Sequence, residues 1–123
     1  MNVLVTGGAG YIGAMLVPFL LADGHKVTVL DTMWFGNGNL PDNPNCRSIK
    51  ADVRYGFLED DFDAVIWLAS VSNNAMYGIN YELTHSVNTF VQRGKYPKFI
   101  YASSAAVVDP TSDYAKDKLI CEA

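Results

Sequence analysis

The sequence predicts an α/β fold, a doubly wound parallel sheet with helices on both faces. Three observations predict it. Strand-like apolar runs alternate with helix-spaced apolar patterns along the 123 residues, and that alternation builds parallel sheets through right-handed crossovers. The first apolar run breaks into glycines at Gly7, Gly8, Gly10 and Gly13 and leads straight into a helical pattern. An acid, Asp31, closes the second run, eighteen positions after Gly13. The expected strand order is 3-2-1-4-5, with a ligand at the carboxyl ends of strands 1 and 4, where the order reverses.

Each element has a local justification. Val3 to Val5 reads as a buried strand. Ile12, Leu16, Val17, Leu20 and Leu21 then recur at helical spacing up to Asp23-Gly24, a stop signal. His25 to Asp31 is the second strand. Thr32 to Asn45 is rich in Gly, Asn and Pro and reads as loop. Arg47 to Ala51 is a short third strand, followed by Asp52-Val53, and Tyr55 to Asp61 is assigned a short helix. Asp63 to Leu68 is the fourth strand, and Ala69 to Asn74 its polar exit. Ile79, Leu83, Val87, Phe90 and Val91 repeat at helical spacing until Gly94. Lys98 to Ala102 is the fifth strand, Ser103 to Ser112 a loop, and a last helix starts near Asp113. Residues 1–123 therefore read as a single domain.

Composition excludes several classes. Half the residues are hydrophobic, enough for a core, yet no apolar run approaches the ~20 residues of a membrane span. The N-terminus has neither the basic region nor the cleavage signal of a secretory peptide. A net charge of −4 without a basic patch argues against nucleic acid. Cys46 and Cys121 are far apart and unclustered, which suggests reduced thiols in a cytoplasmic setting. His25 and His85 fit no ligand pattern, and Glu59 to Asp61 with Asp63 reads as a solvated turn, so no metal site is expected. Trp34, Phe35 and Trp67 read as core or loop anchors.

The glycine segment carries the first chemical signal. Strand, glycine turn and helix together are the context in which backbone approaches a pyrophosphate without a Cβ in the way, and in which the helix N-terminus offers unpaired N–H groups and partial positive charge. Asp31 is placed to accept hydrogen bonds from the adenosine ribose hydroxyls, and its charge would repel a 2′-phosphate, so it favours NAD over NADP. Tyr114 and Lys118 are four apart and share a face if helical. An ammonium beside a phenol stabilises phenolate and fits the tyrosine for acid–base work near neutral pH. Ser103 and Ser104 leave the fifth strand just before it, where a hydroxyl could hold a substrate oxygen.

Taken together, Thr6-Gly-Gly-Ala-Gly-Tyr-Ile-Gly13, Asp31, Asp52-Val53, Leu68-Ala69-Ser70, Ser103-Ser104 and Tyr114-x-x-x-Lys118 resemble the extended short-chain dehydrogenase/reductases, the NAD-dependent epimerase/dehydratase family acting on nucleotide sugars. The resemblance runs from Met1 to Ala123 and implies a Rossmann-type sheet. It implies that Gly7, Gly10 and Gly13, with Tyr11 and Ile12, hold the pyrophosphate of NAD, that Asp31 takes the ribose, and that Asp52 and Val53 contact the adenine. Leu68, Ala69 and Ser70 would line the dinucleotide. Asn80 resembles the family's helix asparagine near the cofactor, with Asn88 a rival placement. Ser104 and Tyr114 would be the catalytic hydroxyls, and Lys118 would hold the nicotinamide ribose and tune Tyr114.

The implied activity is that of a nucleotide-sugar epimerase, dehydratase or reductase, with proton transfer by Tyr114 and transient hydride transfer to NAD. A truncated NAD-binding module or an NAD-sensing scaffold without turnover is the alternative. The chain departs from the family pattern at Trp67, where His is usual, at Val107-Val-Asp109, where Val-Tyr-Gly is usual, and in the ten positions between Ser104 and Tyr114, which are many more in extended members. Family members are more than twice as long. A nucleotide-binding half with no substrate-binding lobe is therefore expected to be a poor catalyst alone. The resemblance also implies homodimers through the helices that begin near Ile79 and Asp113.

Overall fold

Five strands form one sheet in the order β3-β2-β1-β4-β5, the predicted order: β1 (Asn2–Thr6), β2 (Lys26–Asp31), β3 (Cys46–Lys50), β4 (Ala64–Trp67) and β5 (Lys98–Tyr101). Helix α1 (Tyr11–Ala22) crosses from β1 to β2. The computed structural model describes residues 1–33, 36, 40–54, 61–69, 82–83, 85–87, 89, 97–103 and 116. Every strand end falls within one residue of the sequence reading: β1 gains Asn2 and Thr6, β3 shifts by one from Arg47–Ala51, and β4 gives up Asp63 and Leu68. Of the short helix expected over Tyr55 to Asp61, residues 55–60 lie outside the described residues, and Asp61 itself is not helical.

All pairings are parallel, and the register aligns the strand exits. Thr6 pairs with Leu30 on one side and Trp67 on the other, Asp31 with Lys50, and Trp67 with Tyr101. The chain leaves β1, β2, β3, β4 and β5 along one edge of the sheet. Since β1 goes out to β2 on one side while β4 lies on its other side, the topological switch point of the sheet falls between the exits of β1 and β4.

Alternation of side chains along the strands gives each face its own core. On one face Val3, Val5, Val27 and Val29 pack with Ala64 beneath Val17 of α1. On the other, Leu4, Leu30, Val65 and Trp67 pack with Val53, Phe62, Leu83 and Val87. Leu83, Ser86 and Val87 are helical and buried, so the helical residues 82–83 and 85–87 cover this second face. Trp67 is fully buried and stacks on Phe99 at a centroid distance of 6.2 Å. Its Nε1–H donates to the Ala69 carbonyl at 3.0 Å, which satisfies the polar end of a large core side chain. Trp67 is thus a core anchor, as expected. Trp34 and Phe35 lie outside the described residues.

Helix α1 buries a narrower stripe than its apolar spacing suggests. Val17 is fully buried, worth about 1.5–3 kcal/mol on its own, and Leu16, Leu20 and Leu21 are half-buried. Ile12 is exposed, because the first turn projects beyond the strand ends, and Tyr11, Met15 and Phe19 form an exposed row one turn apart. The helix ends where Gly24, at φ +88°, lets His25 N–H reach back to the Leu20 carbonyl at 3.1 Å. At the same edge of the sheet, the Asp63 carboxylate accepts the Asn2 N–H at 2.7 Å. That gives this acid a structural partner at the sheet's amino edge. No described helix is long and apolar enough to cross a membrane.

Candidate functional site

The glycine segment folds as a tight loop held against three strand exits. Gly7 has φ +71°, a conformation that side chains rarely adopt. A Cβ there would also lie 2.7 Å from the Ala69 backbone nitrogen. Gly7 is therefore required both for the turn and for the close approach of the β1 and β4 exits. Its N–H donates to the Leu30 carbonyl at 2.8 Å, so the loop is tied to β2 as well. Gly13 is buried, and a Cβ on it would run into the Gly8 backbone, 2.6 Å from its Cα. This is the glycine that lets α1 pack down on the loop.

Gly10 is different. It is exposed, sits at φ −81°, caps α1 without a side chain, and a Cβ there would meet nothing closer than the Gly7 carbonyl at 3.3 Å. Its carbonyl accepts the Ala14 N–H at 3.0 Å, which starts the helix. The first-turn N–H groups of an α-helix have no intrahelical acceptor, and here no cap side chain provides one. Tyr11, 88% exposed, and Ile12 mark the same open end. An anionic group can approach this helix terminus closely, with the backbone positive end toward it.

Asp31 flanks the loop. Its Oδ2 accepts the Ala9 N–H at 3.0 Å and its Oδ1 accepts the Met33 N–H at 2.8 Å. The second contact is a side-chain turn of the i to i+2 kind, and it leads into Met33 at φ 60°. Each carboxylate oxygen accepts more than one hydrogen bond, so Asp31 can hold the loop and still receive hydroxyl donors from a ligand. The sequence pointed to Asp31 but not to Ala9 or Met33, whose contribution is a backbone N–H that no side-chain pattern encodes.

Asp52 lies just beyond β3, half-buried between half-buried Ala51 and buried Val53. Its Oδ1 accepts the Arg54 N–H at 2.9 Å and Nε–H at 3.0 Å, and its Oδ2 accepts Nη2–H at 2.7 Å. Arg54 Nη1–H reaches on to Glu82 Oε2 at 2.7 Å, on the helix covering the second face. The Arg54 side-chain hydrogen bonds hold the Asp52 carboxyl below the usual carboxylate value; partial burial opposes them, and the Arg54 N–H and positive charge add to the lowering. Val53, between the two, is buried in the core, so any ligand contact it makes comes through its backbone. The Asp-x-Arg spacing was the available signal for Arg54; Glu82, 28 residues away, left none.

Leu68 and Ala69 are half-buried at the β4 exit, with the Leu68 N–H on the Thr6 carbonyl at 2.9 Å. Next to them Ala102 N–H donates to the Trp67 carbonyl at 3.1 Å, which sets Ser103, exposed, at the same edge. Gly7, Gly10, Tyr11, Ile12, Gly13, Asp31, Asp52, Val53, Leu68 and Ala69 therefore gather along one sheet edge. Ser70, Asn80, Asn88, Ser104, Tyr114 and Lys118 lie outside the described residues; Lys116, between the last two, is helical. Among the described residues no group of three or more His, Cys, Asp or Glu side chains comes together.

A family model, the NAD dependent epimerase/dehydratase family, matches residues 3–120. The chain belongs to this family. It is 31% identical over 125 aligned positions to a putative UDP-glucose 4-epimerase of Methanocaldococcus jannaschii, covering 91% of this chain and 41% of that protein. Among solved structures, the dTDP-glucose 4,6-dehydratase of Bacillus anthracis in complex with NAD superposes with a TM-score of 0.83 at 24% identity, over 99% of this chain and 48% of that one. MoeE5 in complex with UDP-glucuronic acid and NAD superposes at 0.77 with 26% identity, over 99% and 47%. The chain thus spans about half the length of these family members, or less.

Proposed function

We propose that residues 1–123 form the NAD-binding half of a nucleotide-sugar epimerase/dehydratase. The observation that carries this reading is the junction at the switch point. There Gly7 meets the Ala69 backbone, the open N-terminus of α1 faces out beside it, and Asp31 stands at the next strand exit. The chemistry of these groups fits a dinucleotide. The first-turn N–H groups of α1 would bind the pyrophosphate with Gly10 leaving room, Asp31 would accept the ribose hydroxyls, and Asp52 with the Val53 backbone would meet the adenine.

NAD, when bound, supplies hydride acceptance and return. The chain's own residues supply position and proton transfer. Leu68, Ala69 and Ser70 would guide the dinucleotide past β4, and Asn80 would approach it from the next helix. Tyr114 would take a proton from a substrate hydroxyl held by Ser104, and return one later. The Lys118 ammonium would favour the phenolate and hold the nicotinamide ribose. The substrate is a nucleotide sugar, in keeping with the UDP- and dTDP-sugar enzymes among the relatives. The reading includes a cytoplasmic location and a homodimer through the helices that begin near Ile79 and Asp113.

The 123 residues alone should bind NAD but turn over poorly, because hydride transfer needs the sugar held against the nicotinamide and that positioning supplies several kcal/mol. A panel of UDP-, dTDP-, GDP- and CDP-sugars, assayed for NADH or epimer formation, tests this. A longer protein carrying the same segment should turn over and lose most activity in Tyr114→Phe. Robust turnover by the 123 residues alone would contradict the division of labour proposed.

A further inference from the structure

We propose that Arg54 is a positioning residue for the adenine end of the site. It locks the Asp52 carboxylate through Glu82 against the helical residues that cover the second face of the sheet, and so makes the site select a base that donates a hydrogen bond over one that accepts. This rests on the reading that Asp52 meets the adenine.

The geometry is that of a clamp. The Arg54 side chain is 13% exposed and the Asp52 side chain 20%. Nε–H is shared between Oδ1 at 3.0 Å and Oδ2 at 3.1 Å, Nη2–H adds Oδ2 at 2.7 Å, and the Arg54 backbone N–H adds Oδ1 at 2.9 Å. The far nitrogen, Nη1, is held by Glu82 Oε2 at 2.7 Å. Both ends of the guanidinium are therefore fixed, one by the β3 exit and one by the helix whose Leu83 and Val87 share a core with Val53.

Two consequences follow. The bidentate cation keeps Asp52 ionised, hence an acceptor with no proton to donate. Three N–H groups, one of them shared, also leave about one of the carboxylate's roughly four acceptor directions open. A fixed carboxylate with one open acceptor direction matches the exocyclic amino group of adenine and repels a carbonyl at the same place. Lysine could supply the charge but not the planar fork, so orientation, unlike charge, should depend on arginine itself.

The test compares NAD with nicotinamide hypoxanthine dinucleotide, in which a carbonyl replaces the adenine amino group. Both are titrated calorimetrically into the 123-residue chain and its variants. The native chain should prefer NAD about tenfold, the scale of one charge-assisted hydrogen bond lost. Arg54→Lys and Arg54→Gln should bring the ratio to about threefold or less, and Asp52→Asn to about one, since an amide can turn its NH₂ to the carbonyl. A purely structural Arg54 would lower melting temperature and weaken both dinucleotides equally, leaving the ratio unchanged. That result in folded Arg54→Lys, which keeps the cation, would overturn the proposal even if Arg54→Gln fails to fold. An undiminished ratio in Asp52→Asn, or no binding of either dinucleotide by the native chain, would instead remove the adenine reading and the proposal with it.

Discussion

Asp31 and Asp52 stand at the exits of neighbouring strands and begin alike. Each turns Oδ1 onto the backbone N–H two residues ahead, Met33 at 2.8 Å and Arg54 at 2.9 Å. They then diverge. The other oxygen of Asp31 meets a backbone N–H of the glycine loop, Ala9 at 3.0 Å, while that of Asp52 meets a guanidinium at 2.7 Å. A carboxylate held by two backbone N–H groups gains no cation from them, and it stands beside the loop that would carry pyrophosphate. A carboxylate clamped by arginine is largely neutralised and keeps direction more than charge. On the proposed reading, the same residue type would give a charge filter at one exit and an oriented acceptor at the next.

Breaking the loop side should have the largest effect on binding. Gly10→Val fills the outer face of the loop but leaves the Ala9 N–H on Asp31 untouched, and φ −81° accepts a side chain. Its stability cost should stay within about 1 kcal/mol, since valine is a poorer cap than glycine. NAD binding should disappear in calorimetric titration while circular dichroism stays native. Retained binding in the folded variant would move the pyrophosphate off the loop.

Asp31→Asn comes next. The native chain should prefer NAD to NADP by more than tenfold, if repulsion of the 2′-phosphate exceeds ~1.4 kcal/mol. The amide removes the repelling charge and leaves one of two N–H donors facing an NH₂. Thermal or urea denaturation should show about 1–3 kcal/mol lost, and the NAD-to-NADP ratio should approach one. A ratio unchanged from the native chain would take Asp31 out of the cofactor site and reduce it to a loop tie.

The smallest effect is one of pH. Asp52 is held below its ordinary carboxylate value by Arg54. A folded value below the unfolded one contributes stability that is fully present above about pH 4 and is lost as pH falls through the folded value. Acid titration followed by circular dichroism should therefore show Asp52→Asn less stable than native near neutrality, with the gap closing below about pH 4. A gap that stays constant with acid would mean the clamp contributes packing and not charge.

Much of this architecture is legible locally. Strand and helix periods, the glycine turn, the Gly24 stop and the acid at position 31 are patterns of a few consecutive residues, because backbone periodicity writes itself on the side chains that must face a core. Alternation of strands and helices then limits the chain to a parallel sheet with right-handed crossovers, and hence the switch point at β1 and β4. The family motifs Ser104, Tyr114 and Lys118 were equally plain in the chain, though they lie outside the described residues.

The sequence by itself determined the element order, the place of the glycine loop and the acid beside it. Tertiary structure alone decided which partners those residues meet. Gly7 lies against Ala69, Ala9 gives its N–H to Asp31, Arg54 reaches Glu82 and Trp67 stacks on Phe99. None of these pairs is close in the chain, and two of them use backbone atoms that carry no residue signature. They exist because parallel register brings strand exits to one edge and because each crossover returns the chain over a face it cannot see locally. Local chemistry sets what a residue can do, while the packing of distant elements sets what it does it to.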